Sequence, residues 1–253
     1  MSNDPLEALW HLHQNPGHPP ESSLMSTSLD LDEGQALQLQ LLERWLNEGE
    51  TLGGWKIGMT SGASRNAMGE GIRPFGFVLK SRIKSDGDRL PLADLFNGGV
   101  ENELCFEIGT SMGAGTTAAD ARQGVSGVSP GFEINQKRLP GDADAGLRVA
   151  DDLSNWGIVA GDLKPLPSSL DDLSVTLNKN GEALETVASE GHIDDHFESL
   201  AILANRLADF GHSLEPGHRV ITGAYARTPF DAGVYRGDFQ NLGSVQIELT
   251  EAA

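Results

Sequence analysis

Three carboxylates and one ammonium stand out by type and spacing. In Val100-Glu101-Asn102-Glu103-Leu104-Cys105-Phe106, side chains two apart on an extended strand share a face. Glu101 and Glu103 therefore point together, while Val100, Leu104 and Phe106 point the other way, toward a core. Two carboxylates this close repel, and one pKa rises unless a cation lies between them. Glu133, in Ser129-Pro130-Gly131-Phe132-Glu133-Ile134-Asn135, interrupts another apolar run and is the third acidic candidate. An all-carboxylate oxygen set favours a hard ion, Mg2+ or Mn2+, over zinc. A single Glu-x-Glu is commonplace on a solvent-facing strand; three such glutamates on adjacent strands weaken that reading.

Lys56 is the second centre, in Trp55-Lys56-Ile57-Gly58-Met59-Thr60-Ser61. It lies between Trp and Ile, where an ammonium is normally avoided. Burial there depresses its expected pKa and suits it to proton transfer or to pairing with an anion. The alternative is a strand lysine that snorkels to the surface.

Other candidates are weaker. His192 and His196 have an i, i+4 spacing that suits zinc on a helix, yet Gly191 precedes them and no third ligand is evident, so a surface turn and helix cap is the expected role. Asp151-Asp152-Leu153-Ser154-Asn155 reads as a polar turn or as a site wall. Cys105 alternates onto the Glu103 face, where a small filler is expected rather than a nucleophile, because no His is placed to activate it. There is no Gly-x-Ser-x-Gly elbow, no P-loop, and Gly113-Ala114-Gly115 lacks the context of a dinucleotide fingerprint.

The elements that must position these groups follow from punctuation and periodicity. Residues 1–28 are rich in Pro, His, Asn and Ser; only Pro5–Gln14 hints at a helix, and the rest is expected to be loosely ordered or packed on a partner. Asp30 or Asp32 caps a helix to about Asn47, with Leu37, Leu41, Leu42 and Trp45 on one face. Short β-like runs then dominate, at Phe77–Ile83, Val100–Ile108, Ser129–Ile134, Trp156–Ala160, Ser174–Lys179, His218–Ala224 and Ser244–Leu249. Helices interrupt them at Thr117–Val125 and Phe197–Phe210. Such spacing predicts a β-rich roll or barrel rather than βαβ units. The expected division is an N-terminal arm and helical region over 1–52 and a catalytic domain over 53–253.

With 253 residues and 38% hydrophobic content, one substantial core is expected. The net charge of -19 disfavours nucleic acid or an anionic membrane surface as partner. No stretch is apolar enough to span a bilayer and the start lacks a signal-peptide pattern, so the expected location is cytoplasmic. The same field repels an anionic metabolite, so a pocket for an acid must supply local positive charge.

Taken together these segments resemble the 2-keto-4-pentenoate hydratase and 4-oxalocrotonate decarboxylase family of the fumarylacetoacetase superfamily, from about Leu29 to Leu249. The landmarks stand in order: Gly54 to Ser61, Pro74-Phe75-Gly76, Glu101-Asn102-Glu103, Pro130 to Ile134, Val149-Ala150-Asp151 with Ser154, Asn180-Gly181, and Ile221-Thr222-Gly223-Ala224. The resemblance implies an α+β fold, a mixed β-roll or barrel with flanking helices. It implies Mg2+ or Mn2+ held by Glu101, Glu103 and Glu133, with Lys56 and Asp151 catalytic. Thr60, Ser61, Ser154, Thr222, Gly223 and Ala224 would face a small 2-oxo or 2-enol carboxylic acid. It further implies a homo-oligomer, in some cases complexed with a pathway enzyme. Hydration of a 2-hydroxy-2,4-dienoate is the expected reaction; decarboxylation of a 2-oxo diacid and hydrolysis of an acylpyruvate C–C bond are the alternatives. Arg138 and Arg227 are the arginines near these landmarks, and with so little positive charge a monocarboxylate is the expected electrostatic fit.

Overall fold

The computed structural model describes residues 4–251. Helix α1 (Pro5–Gln14) starts at the Asp4 cap, and after the short α2 (Ser22–Met25) comes α3 (Leu31–Asn47). Asp30 and Glu33 close a reciprocal capping box that satisfies orphan N–H groups at the start of α3. Leu41, Leu42 and Trp45 on its inner face are buried.

The strands follow as β1 (Leu52–Ile57), β2 (Phe75–Leu79), β3 (Ile83–Ser85), β4 (Arg89–Pro91) and β5 (Gly98–Ile108). Then come α4 (Ala118–Gly124), β6 (Val125–Gln136), α5 (Ala145–Ala150), β7 (Asn155–Ala160), β8 (Ser174–Lys179) and β9 (Glu182–Ala188). The chain ends with α6 (His196–Asp209), β10 (Arg219–Pro229), β11 (Gly233–Phe239) and β12 (Gly243–Thr250). They form a seven-stranded mixed sheet, β2-β1-β10-β5-β6-β7-β3, and a five-stranded sheet, β4-β12-β11-β8-β9.

The two outermost strands of the large sheet, β2 and β3, are joined by only Lys80–Arg82. The sheet must therefore curl until its edges nearly meet, yet among the described residues β2 and β3 share no ladder. Of the roll or barrel expected, the result is a roll and not a closed barrel. One face of the curl carries the main core, where Leu104, Phe106, Val128 and Phe132 meet Val175, Tyr235, Val245 and Ile247 of the second sheet and Phe197 and Leu200 of α6. The other face holds a small dry cluster, Val78, Cys105, Ile158 and Ile221.

The N-terminal arm carries the helix expected at Pro5–Gln14 and differs from expectation in being packed down on its own chain. Helix α1 packs on its own chain, with Leu9 and Leu12 buried and Trp10 edge-on to Trp45 at 4.7 Å between ring centroids. Its apolar i, i+3 pair supplies enough buried surface to fix a segment whose polar composition suggested disorder. Further on, α3 and α5 cross at two glycines: a Cβ on Gly34 would lie 2.1 Å from the Gly146 carbonyl oxygen. That contact brings α5, and the turn after it, against the roll.

Candidate active site

Strand register assembles the carboxylates. Glu101 on β5 is the direct cross-strand partner of Glu133 on β6, and Glu103 follows two residues on, on the same face. One carboxylate oxygen from each lies within 4.8 Å of the others. Like charges opposite one another destabilise a sheet unless something offsets them. Here Lys56, on β1, is ion-paired with Glu133, and both are buried. The Gly223 N–H donates to Glu103 Oε2 at 2.6 Å, Asn135 Nδ2 donates to Glu101 Oε1 at 2.5 Å, and Arg227 Nε lies 2.9 Å from the same oxygen.

These partners do not neutralise the cluster. Burial, then the charges of Glu133 and Glu101, raise the Glu103 carboxyl well above its ordinary range. Burial and Glu133 raise Glu101 likewise. For Lys56 the sequence expectation of a lowered pKa is overturned: burial does act downward, but Glu133, Glu103 and Glu101 together outweigh it and the pKa is raised. A group of carboxylates, two buried and one half-buried, with protons favoured where charge should be, fits a hard divalent cation in chemistry and spacing.

The surrounding pocket encloses about 190 Å³. Of the residues expected from sequence, Lys56, Thr60, Ser61, Glu101, Glu103, Glu133, Ser154, Gly223 and Ala224 line it. Two do not. Thr222 is buried behind the wall, where its carbonyl accepts from Thr60 Oγ1 at 2.8 Å and its hydroxyl meets His196 Nδ1 at 2.8 Å. Asp151 requires correction as a catalytic candidate: its carboxylate is buried against Arg138 Nε at 2.7 Å and His13 Nε2 at 3.1 Å. It braces the following turn and does not reach the pocket.

That turn is strained. Asp152, Leu153 and Ser154 have φ of 56°, 49° and 64°, a left-handed run rare for residues with a Cβ. It is held by Asp152 Oδ1, which accepts from the Phe77 N–H at 2.8 Å, and by Asn155 Nδ2, which donates to the Phe77 carbonyl at 2.7 Å. Leu153 and Ser154 thereby reach the pocket. Across the pocket Gly223 has φ of 134°, and a Cβ there would lie 2.3 Å from Thr60 Oγ1. Only glycine permits that approach.

His192 and His196 do not form a metal pair. His192 Nε2 lies 3.2 Å from the Ala224 carbonyl, and His196 is buried, with Nε2 3.0 Å from the Tyr225 hydroxyl. Asp195 supplies the cap of α6. Burial pushes the Cys105 thiol up to about 11, consistent with a filler and not a nucleophile. Sequence reasoning missed Asn135, Lys137, Arg148 and Ser64 as lining residues. Alternation along β6 from Glu133 points to the first two; nothing local marks the others.

No family model matches the chain. It is 31% identical over 189 residues to a 2-hydroxypent-2,4-dienoate hydratase of Pseudomonas putida, covering 72% of this chain and 85% of that one. It is 27% identical over 222 residues to a 4-oxalocrotonate decarboxylase of Pseudomonas sp, covering 86% of each. In fold it is similar to the 4-oxalocrotonate decarboxylase from Pseudomonas putida G7 complexed with magnesium and adipate, with TM-score 0.88, 24% identity and 99% of each chain covered. The register of Glu101, Glu103 and Glu133, the buried Lys56 and this breadth of similarity lead to one conclusion: the chain belongs to the 2-keto-4-pentenoate hydratase and 4-oxalocrotonate decarboxylase family.

Proposed function

We propose that the protein is a metal-dependent hydro-lyase that adds water to a 2-hydroxy-2,4-dienoate, giving a 4-hydroxy-2-oxo acid. The observation that carries this reading is the convergence of three glutamates, two buried and Glu101 half-buried, on one sheet face beside a buried lysine. Mg2+ or Mn2+, held by Glu101, Glu103 and Glu133, would supply Lewis-acid polarisation of the acid's C2 oxygen and carboxylate, which makes C4 electrophilic.

The chain's own residues do the rest. Lys56 holds the enolate oxygen by charge and moves protons between that oxygen and the carbon skeleton. Thr60, Ser61, Ser154, Gly223 and Ala224 shape the wall against which the acid lies, and Thr222 positions Thr60 through its carbonyl. The net change is one water: hydroxyl to C4, hydrogen to carbon, and the C2 enol to a ketone.

The test is the product profile of the purified protein with Mg2+. Conversion of 2-hydroxypenta-2,4-dienoate to a 4-hydroxy-2-oxo acid, abolished by chelation, is the expected result. Rapid CO2 release from 2-oxohex-3-enedioate with an inert dienoate would instead assign decarboxylation, with the glutamate and Lys56 roles unchanged. The family relationship also carries the expectations of a homo-oligomer, checked by light scattering, and of a cytoplasmic location. No described helix is long and apolar enough to cross a membrane.

A further inference from the structure

Helix α1 lies outside the segments that carry the family resemblance, yet one of its side chains reaches the scaffold of the pocket. His13, in the last turn of α1, is buried, and its Nε2 lies 3.1 Å from Asp151 Oδ1, a partner 138 residues away in sequence. The same oxygen accepts from Arg138 Nε at 2.7 Å. Arg138 Nη2 in turn donates to the Asp151 carbonyl at 2.8 Å and to the Asn155 carbonyl at 3.1 Å. One guanidinium therefore grips both ends of the left-handed turn whose Leu153 and Ser154 line the pocket.

Consecutive residues in the left-handed region are strained, and such a run persists only where its surroundings over-determine it. On one side the Phe77 N–H and carbonyl hold Asp152 and Asn155. On the other side the hold is Arg138, which Asp151 aims, and His13 orients the Asp151 carboxylate. Burial and the Arg138 charge push the His13 pKa from 6.5 down to about 4. The ring is therefore neutral near pH 7, and a carboxylate acceptor selects the tautomer with its hydrogen on Nε2. Helix α1 is anchored without the imidazole, because Leu9 and Leu12 pack with Leu139, Leu147 and Ala150 in a small core of their own. The His13 Nδ1 has no partner among the described residues. A leucine would fill the same space without an orphaned acceptor, so what the imidazole adds is the hydrogen it gives to Asp151.

On the reading of the pocket as a metal-dependent acid site, we propose that His13 is a positioning residue: through Asp151 and Arg138 it fixes the turn that places Leu153 and Ser154 against the substrate. The N-terminal helix is then a working part of the substrate wall and not only a cover on the catalytic domain. The three glutamates are brought together by the β5–β6 ladder, outside this chain of bonds. The clamp therefore acts on binding of the acid and leaves binding of the metal alone.

The test uses His13→Leu, His13→Gln, whose amide returns a hydrogen-bond donor, and the control His11→Leu at an exposed position of the same helix. A hydrogen bond to a charged group is worth roughly tenfold or more. His13→Leu should therefore raise KM for 2-hydroxypenta-2,4-dienoate by about tenfold while kcat stays within about threefold of wild type. Binding of the unreactive 2-oxopentanoate to the Mn2+-loaded protein, read by calorimetry, should weaken by the same factor, with Mn2+ affinity unchanged. In amide exchange followed by mass spectrometry, a peptide spanning residues 151–155 should lose protection by about tenfold while peptides from β11 and β12 keep theirs. His13→Gln should restore most of each loss, and His11→Leu should show none. Wild-type acid affinity and KM in His13→Leu overturn the clamp, whatever the exchange shows. So does a loss that extends to Mn2+ affinity and to exchange throughout the protein, which is what a merely structural histidine gives, or one that His13→Gln does not restore. Because exchange and acid binding need no turnover, they decide the clamp even if the dienoate is inert, in which case the hydratase reading alone fails.

Discussion

The Lys56 ammonium on β1 is bonded to the Glu133 carboxylate on β6, although β10 and β5 lie between those strands. Three strand spacings on a flat sheet are roughly 14 Å, beyond the reach of the two side chains, so the pair exists only because the sheet curls around the site. Replacing Lys56 with Met keeps the stem and deletes the charge. Turnover should fall by about 10²- to 10⁴-fold, while Mn2+ still binds, because the glutamates lose a competing cation. Retention of more than a third of the wild-type rate would reduce Lys56 to a structural role.

Metal binding depends on the carboxylates as a set. Glu103→Gln and Glu133→Gln should each weaken Mn2+ binding by at least about tenfold, with the fold kept by the strand ladders around them. The wild-type affinity should also fall as pH falls. Glu101 and Glu103 have raised pKa values in the metal-free site, so protons compete with the metal, and binding releases them. Calorimetry between about pH 8 and pH 5.5 checks both statements; Mn2+ affinity independent of pH and of both substitutions would remove the site.

Gly223 is the position where the backbone itself is specific. Gly223→Ala adds a Cβ at φ of 134°, 2.3 Å from Thr60 Oγ1. The hydrogen bond from Thr60 to Thr222 and the N–H that Gly223 gives Glu103 must then shift. The variant should lose about 1–3 kcal/mol of stability and at least about tenfold in kcat/KM. Thermal unfolding and steady-state kinetics at wild-type values would show that this approach is not required.

Acid should unfold the protein partly through histidine. Burial pushes His196 from 6.5 down to about 4. The unfolded chain therefore binds a proton that the folded one refuses across that window. The stability contribution is complete above about 6.5 and is lost as pH falls toward 4. His196→Gln keeps partners for Thr222 and Tyr225 without the titration. Between pH 7 and 4.5 the wild type should lose about 2–3 kcal/mol more than the variant, read from urea midpoints. Parallel curves would refute this.

The strands, the two long helices and the four central charges were legible because alternation and capping are local. Asp30 and Glu33 announce α3, and Glu101, Glu103 and Glu133 betray a common face through two-residue spacing. Asp151 misled for a physical reason: its family landmark is local, but its partners, His13 and Arg138, come from a distant arm and from β6's exit. The sign of the Lys56 shift failed similarly, since burial is readable from Trp55 and Ile57 while three opposing carboxylates arrive from other strands. Arg148 and Leu153 reach the pocket through the Gly34 and Gly146 helix crossing and a left-handed turn, neither of which leaves a periodic signal.

The position of β10 constrains how the protein can be made. This strand lies between β1 and β5, pairing Gly54 with Arg219 and Cys105 with Ile221. Until it emerges from the ribosome, β1 and β5 each keep an unpaired edge, the kind of surface that invites association between nascent chains. Loop-closure entropy across so long a stretch must be overcome before the pairing repays it, which slows folding. The three glutamates share the β5–β6 ladder and come together without that strand, whereas the Gly223 N–H that donates to Glu103 arrives only with it. The pocket wall opposite the glutamates is therefore completed last, and a chain truncated before β10 would carry its acidic cluster on an unfinished, adhesive sheet.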